Sequence, residues 1–283
     1  MGQWKKIRGP PLVHKVSFWL FHHKPAGDFF FKKEILRKFK FLMREYSFIK
    51  FIPNSITLMS LIAGISSIKF SIQGNWKLSV LMIMLAAFFD FFDGWMARKL
   101  KKSSQFGAEL DSLSDFISFG LAPSLLINLC FTHELGRIGW TFSLFYIVCA
   151  ALRLARFNIE NTREQSKTFI GIPSPAAAGI VMIPFFMNFM EFNYFNINQL
   201  IFSSSLIIFA GAMMVSRVPT PSVKNLKLKP LYMRFATIAV VLVLIFLITY
   251  FWQTTFAIAL TYLLMSLMNL IIYFFGFFRT TRT

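Results

Sequence analysis

Four aspartates fall within one short stretch, DFFDGWMARKLKKSSQFGAELDSLSD over residues 90–115, at positions 90, 93, 111 and 115. Asp90 and Asp93 are spaced i,i+3 and Asp111 and Asp115 i,i+4, so each pair shares one face of a helix. A chain reversal at KKSS, residues 101–104, sets the two helices antiparallel with all four carboxylates at matched depth. At 1.5 Å per residue that depth is about 10 Å. The surroundings are long runs of Phe, Leu, Ile and Met, and an ionised Asp at the centre of a bilayer costs roughly 2.5–3.5 kcal/mol. Four together also repel one another, and the nearby Arg98 can neutralise only one. One or two hard divalent cations, held by carboxylate oxygens, resolve the conflict. A purely structural cluster and a proton or cation pathway are the alternatives.

The neighbouring residues narrow the chemistry. Gly94 and Ala97 continue the face of Asp90 and Asp93, and Gly107 precedes Asp111 by one turn. Small residues there leave room for a bulky group beside the ions. Lys, Arg and Ser at the hairpin tip suit a phosphate-bearing ligand. Ions, open space and cations at membrane depth point to phosphoryl chemistry on a lipid. A transporter would more typically break its helices near mid-membrane.

The elements that must position these groups are membrane helices. Of the 283 residues 56% are hydrophobic and 18% aromatic, and mean hydropathy is +0.59, beyond the range of a soluble domain. Apolar runs of spanning length recur near 52–72, 77–97, 107–130, 138–157, 173–190, 198–215, 232–250 and 254–277. The fold class is therefore all-α, a polytopic membrane helix bundle of about eight transmembrane helices. A barrel would show short alternating segments instead.

A formal charge of +18 raises nucleic-acid binding, and the placement of the cations removes it. All Lys and Arg except Lys69, Lys77 and Arg137 fall on the two termini and on the connections sharing their side of the membrane. That is the positive-inside pattern, with both termini cytosolic and an attraction to anionic membrane lipids. No nucleic-acid partner is expected.

Along the chain, residues 1–50 form a basic juxtamembrane segment, and FFFKKEILRKFKFLMREY within it suits a helix lying in the interface. No cleavable signal peptide is expected, because VSFWLF is short and lacks a small-residue cleavage site. Residues 51–215 carry six spans and the aspartates, 216–230 form a Pro- and Lys-rich cytosolic loop, and 231–283 hold two further spans. Pro53 opens the first span, where its missing N–H is harmless, with Asn54 and Thr57 following at i,i+3. His22 and His23 have no partner at ligand spacing and read as surface residues. Cys130 and Cys149 read as buried apolar residues.

The pattern Asp90-x2-Asp93-Gly94-x2-Ala97-Arg98-x8-Gly107-x3-Asp111-x3-Asp115 resembles the full signature of the CDP-alcohol phosphatidyltransferases. These are membrane enzymes that move a phosphatidyl group from a CDP-linked lipid to an alcohol and release CMP. The resemblance implies that Asp90, Asp93, Asp111 and Asp115 are metal ligands for Mg²⁺ or Mn²⁺, one or two per site, with Asp115 also the general base. It implies that Gly94, Ala97, Arg98, Ser104 and Gly107 bind CDP-diacylglycerol. PNSIT resembles the family's Pro-Asn-x-x-Thr element and adds Asn54 and Thr57 to the donor contacts. The resemblance also implies a homodimer.

ALRLARFN (151–158), FIGIPSPAAAG (169–179) and FGAELDSLSDFISFGLAP (106–123) resemble the phosphatidylserine synthase branch, which implies L-serine as the acceptor. A serine carboxylate wants an Arg fork, and Arg153 and Arg156, at i,i+3 near a cytosolic helix end, can supply one. Arg at such an end is also ordinary topology. Pro173 and Pro175 read as a tight helix start. A sister transferase using glycerol phosphate, inositol or choline is the alternative within the family, and a cation- or proton-coupled transporter the alternative outside it. A bacterial inner membrane is the expected location, with the active site towards the cytosol.

Overall fold

The computed structural model describes residues 51–100, 105–161, 171–191, 198–216, 218 and 230–280. The basic segment 1–50, with its expected interfacial helix, the hairpin tip 101–104 and most of the 216–230 loop lie outside the described residues.

Every described element is helical. In chain order these are α1 (Phe51–Ile72), α2 (Trp76–Leu100), α3 (Gln105–Asp115), a π-helical segment (Phe116–Leu121), α4 (Ala122–Ile127), a second π segment (Asn128–Thr132), a 3₁₀ turn (His133–Leu135), α5 (Arg137–Asn161), α6 (Ser174–Val181), α7 (Ile183–Phe189), α8 (Gln199–Val215), α9 (Pro230–Thr249) and α10 (Phe251–Thr280). Five stretches are long and apolar enough to cross a membrane, namely Pro53–Ile72, Trp76–Met96, Phe106–Leu135, Arg137–Ile159 and Phe251–Tyr273, and shorter apolar helices accompany them. The protein is an integral membrane protein built as a polytopic helix bundle.

Local chemistry sets the ends of the elements. Gly74 takes φ +72° and donates to Ser71 O at 3.0 Å, while Asn75 Oδ1 accepts from Leu78 N at 3.2 Å to cap α2. Gly136, at φ +55°, turns the chain into α5. Asn198 Oδ1 accepts from Leu200 N at the start of α8.

Two of the expected straight spans are interrupted. The third changes from α to π geometry directly after Asp115 and again at Asn128. The fifth is two short helices meeting at Met182, with Pro184 in the first turn of the second, where its missing N–H is tolerated. Such breaks are the feature expected of a transporter, but here they are π turns and a proline junction inside packed helices.

The interface between α1 and α2 uses small polar side chains. α1 packs most extensively on α2. Ser79 Oγ of α2 lies 2.8 Å from Ser67 Oγ and 2.7 Å from Ser71 Oγ of α1, and Ser60 Oγ donates to Ala86 O at 3.0 Å. Serines allow close backbone approach and satisfy carbonyls where no water competes. Gly64 serves the same end, since a Cβ there would lie 2.8 Å from Ser118 Cα. The central core is apolar, around Phe119, Leu126, Tyr146, Ile180, Phe185 and Met214. Inside it the Tyr146 hydroxyl donates to Phe119 O of the π segment at 3.0 Å.

The last two helices meet at Tyr250 with no loop between them. α10 packs on α6 and α7, and Trp252 stacks 4.6 Å from Phe189 with Lys77 Nζ 5.8 Å from its ring. α9 is different, since nearly every side chain from Ile238 to Thr249 is exposed. It does not pack along α10 as a close hairpin, because a single-residue junction leaves no length for the chain to fold flat.

Candidate active site

Serine-to-carbonyl bonds hold the acidic helices. Ser114 Oγ donates to Thr57 O at 3.3 Å and Ser118 Oγ to Ser60 O at 3.2 Å. Two serines one turn apart therefore grip two carbonyls one turn apart on α1, which fixes the rotation of α3. Ser112 Oγ adds a bond of 3.0 Å to Asn158 Oδ1 on α5.

α2 and α3 do not pack tightly against each other; each lies along α1. Both helices thus lean on α1, and the reversal expected at 101–104 lies outside the described residues. Asp90 and Asp93 of α2 and Asp111 of α3 come together, with carboxylate oxygens all within 4.8 Å of one another. Asp93 is buried, and its Oδ2 has no hydrogen-bond partner.

These residues fit a hard divalent cation. Metal–oxygen bonds of roughly 2.0–2.6 Å put two ligands of one ion at most about 4–5 Å apart, which matches the trio. A buried carboxylate oxygen without a partner is also what an ion would satisfy. Asp115 stands outside the trio, within hydrogen-bond reach of Asp90. Its Oδ1 is buried and without a partner.

Residues expected to contact the donor lie on α1 and α2. Thr57, also buried, stands within hydrogen-bond reach of Asp93 and bonds Pro53 O at 3.0 Å. Asn54 is half-buried a turn earlier on α1. The Arg98 guanidinium passes over Gly94, where a Cβ would sit 3.8 Å from Nη1. Gly107 lies in the first turns of α3, and Ala97 in the last turn of α2. Ser104 lies outside the described residues.

The two arginines of α5 separate. Arg153 Nη1 donates to Ser174 Oγ at 2.8 Å, its Nε is buried without a partner, and the guanidinium is within electrostatic reach of Asp115. Arg156 Nη2 donates to Val215 O at 3.1 Å, at the C-terminus of α8, where a cation meets the negative end of the helix dipole. Ser174 owes its place to the turn before it. Gly171, at φ +79°, donates to Val218 O, and Ile172 donates to Met213 O. Pro173 is extended and α6 begins at Ser174, which is the tight helix start expected of the two prolines. Sequence reasoning missed Ser112, Asn158 and Ser174 as individual residues, although all lie in stretches that carried the family resemblance.

Comparison with known proteins agrees with this geometry. The family model described as CDP-alcohol phosphatidyltransferase matches residues 50–218. A protein named CDP-diacylglycerol–serine O-phosphatidyltransferase from Helicobacter pylori is 34% identical over 175 residues, 62% of this chain and 73% of its own length. Proteins of the same name from Bacillus subtilis and Methanocaldococcus jannaschii are 37% identical over 175 residues and 36% identical over 174. Each of these alignments covers 62% of this chain, with 92% and 75% of those proteins. The matched region contains all four aspartates and both arginines, and with it the chain belongs to the CDP-alcohol phosphatidyltransferase family.

Proposed function

We propose that this protein transfers the phosphatidyl group of CDP-diacylglycerol to the hydroxyl of L-serine, giving phosphatidylserine and CMP. The observation that carries the reading is the Asp90–Asp93–Asp111 oxygen cluster, with Asp115 and Arg153 next to it. The names of the relatives support the choice of donor and acceptor.

Asp90, Asp93 and Asp111 hold one or two divalent cations, Mg²⁺ or Mn²⁺. When bound, the cation neutralises charge on the donor pyrophosphate and on the departing CMP. Thr57, Asn54, Gly94, Ala97, Arg98, Ser104 and Gly107 line the donor, with Arg98 offering paired N–H donors to phosphate oxygens. Arg153 holds the serine carboxylate and thereby presents the serine hydroxyl to Asp115. Asp115 takes the hydroxyl proton as the oxygen bonds to the lipid-bearing phosphorus. The bond from that phosphorus to the bridging oxygen breaks, and CMP leaves with the electron pair. Arg156, bonded to Val215 O, anchors α5 to α8.

The distribution of Lys and Arg supports a site opening to the cytosol of a bacterial inner membrane. The segments 1–50, 51–215, 216–230 and 231–283 serve as basic approach, catalytic core, loop and added pair of spans. Pairing as a homodimer enters from the family resemblance.

The test is to incubate purified protein with CDP-diacylglycerol and radiolabelled L-serine, extract the lipids, and repeat with glycerol phosphate, inositol and choline. Label entering the organic phase with serine alone supports the proposal. Lipid product from another alcohol, with serine label left in water, rejects it.

A further inference from the structure

Three hydrogen bonds fix the register between α5 and the stretch that carries Asp115. Ser112 Oγ donates to Asn158 Oδ1 at 3.0 Å, the Tyr146 hydroxyl to Phe119 O at 3.0 Å, and Ser124 Oγ to Ser143 O at 3.0 Å. Positions rise along one partner as they fall along the other, so the two run antiparallel. Asp115 lies three residues beyond Ser112 and four short of Phe119, which brackets its opposite position on α5 between Ala150 and Ala155. Arg153 lies in that interval. It shares a face of α5 with Tyr146 and Ala150, at i, i+4 and i+7.

Tyr146 meets this stretch at its break. Pro123 has no N–H, and in an α-helix its ring would strike the carbonyl four residues earlier, that of Phe119. The chain widens to π geometry instead, with Ala122 N donating to Ile117 O five residues back. Phe119 O takes the Tyr146 hydroxyl, and both side chains are fully buried. Beside it, a Cβ added to Gly120 would sit 3.1 Å from Ala150 Cβ, so the two backbones approach closely at this level.

We propose that Tyr146 is a positioning residue for the transfer reaction. Its hydroxyl, held on Phe119 O, fixes α5 against the π segment and so sets the spacing between Asp115 and Arg153. The inference rests on Asp115 being the base and Arg153 the grip on the serine carboxylate. The metal-binding trio is tied down separately, because Ser114 and Ser118 bond to α1.

The test compares the full chain with Tyr146→Phe, which keeps the ring, and with Gly120→Ala, which wedges the same interface. Serine and CDP-diacylglycerol kinetics are measured beside Mn²⁺ affinity and Tm. A misplacement of about 1 Å can cost about 100-fold in rate, so kcat/KM for serine is expected to fall roughly 10- to 100-fold in Tyr146→Phe. Mn²⁺ affinity and KM for CDP-diacylglycerol are expected to stay within about twofold. Gly120→Ala is expected to show the same split, and decides the matter if Tyr146→Phe does not fold. A serine kcat/KM within about twofold of the parent overturns the inference even if Tm falls, because the bond then stabilises the core and nothing more. Equal losses in metal, donor and serine constants overturn it too, as a packing defect. Phosphatidylserine made by the parent, with an unshifted Tyr146→Phe, sinks this inference alone. No phosphatidylserine from the parent, with lipid product from another alcohol, overturns the serine reading and this inference together.

Discussion

Asp93 on α2 and Asp111 on α3 bring carboxylate oxygens within 4.8 Å of each other, although their helices share no tight interface. Two acids from different helices thus bracket a space that fits one directly ligated divalent ion. α1 makes this possible, because Ser114 and Ser118 tie α3 to Thr57 O and Ser60 O while α2 packs along the same helix.

Asp115→Asn tests the base. A positioned general base contributes typically 10²–10⁴-fold, so kcat is expected to fall by about that much. Donor affinity, measured by equilibrium binding of CDP-diacylglycerol, is expected to hold, since Asp115 stands outside the trio. Near-parental turnover would remove Asp115 from the proton transfer.

Arg153 and Arg156 give opposite signatures. Arg153→Ala raises KM for serine roughly 10- to 150-fold, the equivalent of about 1.5–3 kcal/mol for bonds to a charged group. Arg153→Lys recovers little of it, because an ammonium cannot reproduce the planar fork. Arg156→Ala instead removes a bond to Val215 O and lowers Tm by a few degrees, with serine KM close to parental. Steady-state kinetics and a thermal melt on both variants separate the two roles, and a larger serine defect in Arg156→Ala would reverse the assignment.

Gly171→Ala tests the turn that presents Ser174. A left-handed backbone costs an L-residue about 1–2 kcal/mol, and the added Cβ would lie 2.8 Å from Met214 O. The expected outcome is a lower Tm together with weaker serine use, since Ser174 and Arg153 move with the turn. An unchanged melt would show that the turn relaxes freely.

Much of this site is legible in the sequence because its logic is local. Helical spacing pairs the aspartates, chain reversal between them sets their depth, and the apolar runs locate the helices to within a few residues. The remainder depends on tertiary contacts that leave no periodic trace. FISFGL reads as ordinary helix, yet adopts π geometry where Tyr146 supplies a bond to Phe119 O. Pro184 was a visible warning of the break at Met182. Arg153 and Arg156 are equivalent by spacing, and only the positions of Ser174 and Val215 tell them apart.

Chelation gives a further expectation. Excess chelator stops phosphatidyl transfer, and Mg²⁺ or Mn²⁺ restores it, as read by labelled lipid per minute. Restoration by one ion and not the other would identify the preferred metal.

The central claim is that Asp90, Asp93 and Asp111 hold the ion on which transfer depends. Its most direct test is a Mn²⁺ titration of the purified protein, followed by the disappearance of the free-ion electron paramagnetic resonance signal, beside Asp93→Asn and Asp111→Asn. Changes to residues that merely orient ligands cost 10–100-fold in metal affinity, so loss of a ligand itself is expected to weaken binding by roughly 100-fold or more. Mn²⁺ affinity equal in the parent and both variants would contradict the account.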